Sequence, residues 1–100
     1  MIALLAIVGF DWDAGNARKS VDKHGVTEAE AEQVFFSEPL LLLEDERHSG
    51  IEARFHALGR TTEGRQLHIA FTLRGDDKLI RVISARDMSR KERDAYEQAA

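Results

Sequence analysis

The residues from Lys23 to Thr27 strongly constrain how the first third of this chain folds. Gly25 supplies the left-handed backbone conformation that commonly ends a helix. A lysine and a histidine precede it, where the carbonyl groups of a helix end concentrate negative charge. Thr27 with Glu30 three residues later is the capping-box pattern that begins another helix. The stretch therefore predicts a tight corner between two helices.

Helices are predicted on both sides of this corner. Asp13 is a suitable N-cap for the first helix, which runs to about His24. The second is predicted from Glu28 to about Ser37. Each carries residues at helical spacing on one side: Ala17, Val21 and His24 in the first helix, and Ala31, Val34 and Phe35 in the second.

Most of the remaining chain is predicted to form strands. Over residues 66–74 apolar and polar side chains alternate clearly. Residues 40–45 begin with four leucines, which a buried helix would also explain, but Pro39 in front and acidic residues behind favour a strand. Further strands are predicted at 8–13, 51–59 and 78–86, with a loop at 46–50.

The end of the chain completes the predicted fold. Ser89 to Glu92 forms a second capping box and begins a final helix. The predicted order is strand, helix, helix, four strands, helix. This order indicates an α+β fold, with two N-terminal helices and a C-terminal helix packed on an antiparallel sheet of about four to five strands.

The register between two of these strands separates an apolar face from a polar one. If Arg54 faces Thr72, then Phe55 joins the core. A slip of one residue would expose Phe55, at about 1.5–3 kcal/mol of lost burial. The register predicts an odd-length loop or a bulge near residues 59–64. The opposite face then collects polar side chains: Glu52, Arg54, His56, His68, Thr72 and Arg74.

This polar face suits the chemistry of phosphate groups. Guanidinium groups bind phosphate oxygens in pairs and keep their charge, and Arg81 or Arg86 could join the two arginines of the face. Glu52 or a histidine can move protons near neutral pH. Such a set fits metal-independent RNA cleavage, in which a base activates the 2′-hydroxyl and arginines hold the phosphate. A structural ion pair across strands also explains an arginine beside a glutamate.

Other candidate residues have simple structural explanations. His24 can cap the helix that it ends. His56 and His68 lack the close spacing to further ligands that a metal site needs. Trp12 suits a core better than a base-stacking surface, and Tyr96 either contacts phosphate or packs the last helix on the sheet. We therefore predict no metal and no cofactor.

Composition indicates one soluble globular domain over residues 1–100. Of the 100 residues, 43% are hydrophobic and 32% charged, and the absence of cysteine suits the cytoplasm. The net charge is −4, divided into −7 over residues 1–53 and +3 over residues 54–100. This asymmetry indicates a basic face, although a uniformly solvated surface explains it equally well.

The first eight residues are apolar but too few to span a bilayer, which needs about 20. They carry no basic segment typical of a secretory signal. Residues 1–9 are either an extra strand or an extension from an upstream start site. No membrane association is expected.

Several short motifs follow one another in a fixed order along the chain. They are Phe10-Asp11-Trp12-Asp13, Lys23-His24-Gly25-Val26, Val34-Phe35 before Pro39, Arg54, Gly59, Arg65, Thr72, Arg74-Gly75, Arg81-Val82-Ile83-Ser84-Ala85-Arg86, Glu92 and Tyr96. With these motifs the chain resembles the BrnT toxin family from about Phe10 to Tyr96. The resemblance implies a small ribonuclease toxin of a bacterial type II toxin–antitoxin system with a RelE-like fold.

The resemblance also implies a set of functional residues, without assigning the base and the acid. With the analysis of the polar face, it predicts a catalytic group and a group that binds RNA. The catalytic candidates are His24, Glu52, Arg54, Arg74 and Arg86, and the RNA-binding candidates are Lys23, Arg65, Arg81 and Tyr96.

The implied partner is a BrnA-like antitoxin that neutralises the toxin and carries a DNA-binding domain. Contact with DNA is then expected only through the antitoxin, while RNA is the substrate. The alternative is a non-catalytic protein- or RNA-binding module that retains the toxin fold. A homodimer remains a further alternative.

Overall fold

A computed structural model describes residues 6–45 and 52–99 of the chain. The order of elements agrees with the predicted order. The elements are β1 (Gly9–Phe10), α1 (Ala14–His24), α2 (Glu28–Val34), β2 (Leu41–Asp45), β3 (Arg54–Arg60), β4 (Gln66–Arg74), β5 (Leu79–Asp87) and α3 (Arg90–Ala99).

The predicted boundaries hold best where local signals are strongest. β4 has the predicted ends, both predicted capping boxes form, and Gly25 adopts the left-handed conformation with φ of 65°. The prediction for α2 was too long, because the helix ends at Val34. β3 begins at Arg54, later than predicted. The predicted loop 46–50 and residues 1–5 lie outside the described residues.

The five strands form one sheet in the order β1-β5-β4-β3-β2. The three pairings from β2 to β5 are antiparallel, as predicted. β1 pairs with β5 in parallel, which corrects the prediction of a wholly antiparallel sheet. β5 bulges opposite the step from Ala70 to Phe71.

Helices cover both faces of the sheet. α2 lies on one face, over the main core formed by side chains such as Phe55, Ile69 and Phe71, and α1 lies along the outer edge of β5. α3 lies on the other face, where Tyr96 and Met88 pack against Leu58. Side chains along a strand alternate between the two faces. The polar residues of β3 and β4 therefore share the face of α3.

The buried side of α1 is not the side that carries Ala17, Val21 and His24. Val21 and His24 are exposed, whereas Asn16 and Ser20 are buried. The reason is that β1 is only two residues long and leaves most of the outer edge of β5 unpaired. The Asn16 amide donates to the Val82 carbonyl at 3.0 Å, and the Ser20 hydroxyl accepts from the Ala85 amide at 3.0 Å. Helix side chains thus replace a missing strand.

The turn between β3 and β4 confirms the prediction of an odd-length loop. Arg60 pairs with Gln66, so the loop has five residues, 61–65. Phe55 faces Phe71 in this register, and both are buried. The apolar face of the sheet is therefore the face under α2.

Gly59 lies where β3 passes closest to the end of α2. A Cβ at this position would lie 2.5 Å from the Ser37 hydroxyl oxygen and 2.9 Å from the Val34 carbonyl oxygen. Gly59→Ala is therefore expected to lower the free energy of unfolding by about 1–3 kcal/mol through overpacking. Urea denaturation measures the change. Gly64→Ala cannot serve as the control, because Gly64 has a positive φ, which alanine rarely adopts. Unchanged stability of Gly59→Ala would contradict this packing.

Candidate functional site

An open cleft of about 210 Å³ lies on the α3 face of the sheet, at the end remote from the β3–β4 turn. The segment before β3, the first residue of β3, and the strands β4 and β5 supply its walls. Three of its residues are arginines, and we call their surface the arginine cleft. The cleft is lined by Glu52, Ala53, Arg54, Thr72, Arg74, Arg81 and Ile83.

Two of the three arginines are paired with carboxylates of the chain itself. Arg74 Nε lies 2.9 Å from Glu52 Oε2, and both side chains are about half exposed. Arg81 lies 2.9 Å from Asp13 and 3.5 Å from Asp11. The cleft already accepts oxyanions in the geometry that guanidinium groups offer to carboxylate or phosphate.

Arg54 differs from the other two arginines. Among the described residues the structure gives its side chain no hydrogen bond or ion pair. Its neighbour in the cleft wall is fixed by Thr72, whose hydroxyl donates to the Ala53 carbonyl at 2.6 Å. Arg54 thus offers an uncommitted guanidinium in a cleft whose backbone is held in place.

Two histidines extend the polar surface from the cleft toward α3. His56 Nδ1 lies 2.9 Å from His68 Nε2, and His56 Nε2 lies 2.7 Å from Asp45 Oδ2. We call His56 and His68 the imidazole pair. His68 is 9% exposed, and its Nδ1 atom is buried with no hydrogen-bond partner among the described residues. Burial, with the nearby Arg86 charge, lowers the pKa of His68 to about 4.

Arg86 lies beyond the imidazole pair and contacts α3. It donates two hydrogen bonds to Glu92, at 2.8 and 2.9 Å. These bonds, with one from the Ser89 backbone amide, lower the pKa of Glu92 to about 2. Thr72 pairs with Arg81 and His68 with Arg86, so Arg86 lies roughly 13 Å along the sheet from the centre of the cleft.

The Glu92 ion pair predicts a pH dependence of stability. The carboxylate is stabilised in the folded state, so its contribution is complete above pH 4.5 and is lost as the pH falls toward 2. The full shift corresponds to roughly 3 kcal/mol, and partial exposure of the ion pair to solvent reduces its contribution to about 2 kcal/mol. We expect Glu92→Gln to remove this contribution at pH 7 and to narrow the gap from wild type at pH 2.5. Urea denaturation at both pH values tests this, and an equal gap at both would contradict it.

The predicted residues Lys23, His24 and Arg65 lie away from the cleft. Arg65 donates to the backbone carbonyls of His24 and Gly25. Its guanidinium also pairs with Asp87 at 2.8 Å, an interaction that lowers the pKa of Asp87. Arg65 precedes β4 and Arg74 ends it, so roughly 26 Å of strand separates this corner from the cleft.

Tyr96 also lies outside the cleft. It is 1% exposed, and its hydroxyl donates to the Pro39 carbonyl at 2.6 Å. Its ring packs with Leu58 and Met88 between α3 and the sheet. The structure therefore brings together four predicted residues, Glu52, Arg54, Arg74 and Arg81, and does not bring Lys23, His24, Arg65, Arg86 or Tyr96 to them.

Sequence reasoning missed three carboxylates of this surface. Asp11 and Asp13 hold Arg81, and the Asn16 backbone amide, with Arg81, lowers the pKa of Asp13. Asp45 lies opposite Arg54 in the backbone pairing of β2 with β3, and it lies diagonal to His56. A correct pairing of β2 with β3 would have been the signal for Asp45.

None of the helices among the described residues could span a membrane, because none combines the length and the apolar character that this needs. No group of three or more histidine, cysteine, aspartate or glutamate residues in the same ranges is placed to hold a metal ion. The α3 face of the described sheet thus carries the arginine cleft and the imidazole pair.

The fold and the cleft together define a class of protein: a small α+β protein with an arginine-lined site on the α3 face of its sheet. The family model of BrnT, the ribonuclease toxin of type II toxin–antitoxin systems, matches residues 12–92. The chain therefore belongs to the family of BrnT ribonuclease toxins, as its motifs indicated, and the family implies a cognate antitoxin.

The fold is similar to that of a solved member. The crystal structure of the Brucella abortus ribonuclease toxin BrnT superimposes with a TM-score of 0.64, covering 83% of this chain and 99% of that chain at 20% identity. No curated protein matches the chain in sequence. The predicted α+β architecture is confirmed.

Proposed function

We propose that this protein is a metal-independent endoribonuclease toxin that cleaves RNA in the arginine cleft. The observation that carries the proposal is the uncommitted Arg54 guanidinium in a cleft with two further arginines. Arg74 and Arg81 already hold carboxylates, and a phosphate can replace these partners because both anions offer paired oxygen atoms. We propose that the protein acts in the bacterial cytoplasm, where its proposed RNA substrate is found.

The reaction we propose is an internal transfer on the RNA backbone. A base takes the proton of a 2′-hydroxyl, its oxygen attacks the adjacent phosphorus, and the 5′-oxygen leaves with a proton from an acid. The arginines stabilise the additional negative charge on the phosphate in the transition state. The candidates for the base are Glu52, which becomes available only when RNA displaces it from Arg74, and the histidines of the α3 face.

Analysis of the RNA ends tests this reaction. Partner-free protein is incubated with single-stranded RNA in excess chelator, and the products are analysed by mass. We expect 2′,3′-cyclic phosphate and 5′-hydroxyl ends, because the 2′-oxygen is the nucleophile. Ends bearing 5′-phosphate would contradict the mechanism, since they require attack by water.

The partner we propose is a BrnA-like antitoxin that covers the arginine cleft. An antitoxin bound there would exclude RNA, and the complex would contact DNA only through the antitoxin. Co-expression is expected to restore growth that the toxin alone arrests. Restored growth while RNA cleavage continues in the purified complex would contradict this mode of neutralisation.

A non-catalytic binding module is the second candidate. It is favoured by the ion pairs that occupy Arg65, Arg74, Arg81 and Arg86 within the chain. A module of this kind would bind RNA or a partner protein through the same face without breaking a bond. Binding of single-stranded RNA with no product after long incubation, with or without ribosomes, would favour it.

A further inference from the structure

We propose that the imidazole pair, held by Asp45, is the proton-transfer group of the RNA site, and that His24 is not. The inference rests on the proposed ribonuclease function and deepens it. It concerns which residue removes the proton of the 2′-hydroxyl. Three kinds of observation carry it: position on the sheet, hydrogen-bond geometry and surrounding charge.

Position distinguishes the two histidine candidates. His56 follows Arg54 by two residues on β3, so both side chains lie on the α3 face, roughly 7 Å apart along the strand. His24 ends α1, which packs along the outer edge of β5, and its carbonyl is held by Arg65 near the start of β4. A ribose next to a phosphate on Arg54 can reach His56 and cannot reach His24.

Hydrogen-bond geometry gives the pair the form of a base. The Asp45 carboxylate only accepts hydrogen bonds, so His56 donates its Nε2 proton to it at 2.7 Å. Neutral His56 then carries a lone pair on Nδ1, which accepts a hydrogen bond from His68 Nε2 at 2.9 Å. An aspartate that fixes the tautomer of a histidine and stabilises its charged form is the arrangement used to make histidine a general base.

His68 adds an unusual feature to this chain of hydrogen bonds. Its second nitrogen, Nδ1, is buried and has no partner among the described residues. Burial and the Arg86 charge lower the pKa of His68 to about 4, so His68 is neutral at pH 7, and Asp45 lies beside the other ring, His56. Because the two rings share a hydrogen bond, a proton gained by one ring is expected to affect the other.

Charged groups from every neighbouring element act on this proton. Asp45 and Glu92 favour the charged pair, and Arg54 and Arg86 oppose it. A phosphate on Arg54 neutralises one opposing charge and so promotes proton uptake when RNA binds. These groups come from β2, α3, β3 and β5 respectively: Asp45, Glu92, Arg54 and Arg86.

The proton-transfer step balances without a further reactant. His56 Nδ1 exchanges its contact with His68 for the 2′-hydroxyl and takes its proton, while the 2′-oxygen forms a bond to phosphorus. The bond between phosphorus and the 5′-oxygen breaks with its electron pair, and that oxygen takes a proton from solvent. His56 is then a cation stabilised by Asp45, and it returns its proton to water.

Cleavage kinetics between pH 5 and pH 9 test the inference, with His56→Gln, Asp45→Asn and His24→Gln compared. We expect His56→Gln to lower kcat at least about 100-fold, the usual range for loss of a general base. Asp45→Asn is expected to lower kcat. It is also expected to move the acidic limb of the profile of kcat against pH to lower pH, because the His56 imidazolium loses its counter-charge. A merely structural Asp45 would not move this limb. Urea denaturation confirms that each variant is folded.

Two results would overturn the inference while the proposed function stands. One is His56→Gln cleaving within threefold of wild type. The other is His24→Gln losing the acidic limb while His56→Gln retains it. A wild-type protein that does not cleave RNA would count against the proposed function itself.

A readout that does not depend on activity then decides the inference. Nitrogen-15 NMR follows the imidazoles of His56 and His68 with 2′-O-methyl RNA, which binds but cannot be cleaved. We expect the nitrogen chemical shifts of both rings to change with pH at one shared midpoint. Adding the RNA is expected to move this midpoint to higher pH. Independent steps, or a step unmoved by RNA, would overturn the proposal.

Discussion

Replacing Arg54 by alanine is expected to slow RNA cleavage about 100-fold or more, the cost of losing one preorganised donor to a developing negative charge. Arg54 is the cleft arginine with no partner among the described residues, so its guanidinium is available to the phosphate at no cost in broken ion pairs. Single-turnover rates on single-stranded RNA measure the effect. Arg54→Lys should recover only part of the rate, because an ammonium group cannot bind two oxygens side by side.

Arg60→Ala is the matched control for this experiment. Arg60 ends the same strand, is exposed, and donates to the Glu38 carbonyl at 2.9 Å, well away from the cleft. Its loss is expected to change the rate less than threefold. Equal effects of Arg54→Ala and Arg60→Ala would mean that general positive charge drives binding, and the cleft would not be the site.

Asn16→Asp is expected to lower the free energy of unfolding by about 3 kcal/mol or more at pH 7, although the side chains have nearly the same shape. The Asn16 amide nitrogen donates to the carbonyls of Asp11 at 3.1 Å and Val82 at 3.0 Å. A carboxylate oxygen would face both carbonyl oxygens without a proton. This would raise the pKa of the new aspartate, so the loss should shrink as the pH falls toward 4.

Asp22→Asn provides the control for the Asn16 experiment. Asp22 lies on the same helix and is exposed, so the reverse substitution should change stability by less than about 0.5 kcal/mol. Denaturation at pH 7 and pH 4 measures both variants. If Asn16→Asp were as mild as Asp22→Asn, α1 side chains would not stabilise the edge of β5.

The sequence predicted most where local signals decide the structure. Alternation over Gln66–Arg74 predicted β4 with its observed ends, and two capping boxes marked the starts of α2 and α3. The odd-length turn then followed from the burial of Phe55. Because the register was correct, Arg54, Arg74 and Glu52 were correctly placed on one face.

The sequence predicted least where distant parts of the chain meet. Asn16 and Ser20 have the composition of an exposed helix face, and only the short β1 strand explains why they are buried. His24 was placed with the catalytic residues through family motifs, which carry no information on distance. Asp45 was missed because its partner, His56, lies on another strand, across a segment outside the described residues.

We propose that Arg54 in the arginine cleft binds RNA for cleavage without a metal ion. The most direct test is a time course of single-stranded RNA cleavage by partner-free protein in excess chelator, with wild type and Arg54→Ala compared. We predict cleavage by wild type, at a rate that added magnesium leaves unchanged, and a loss of about 100-fold in Arg54→Ala. Cleavage that requires a divalent ion, or that survives Arg54→Ala at the full rate, would contradict the account.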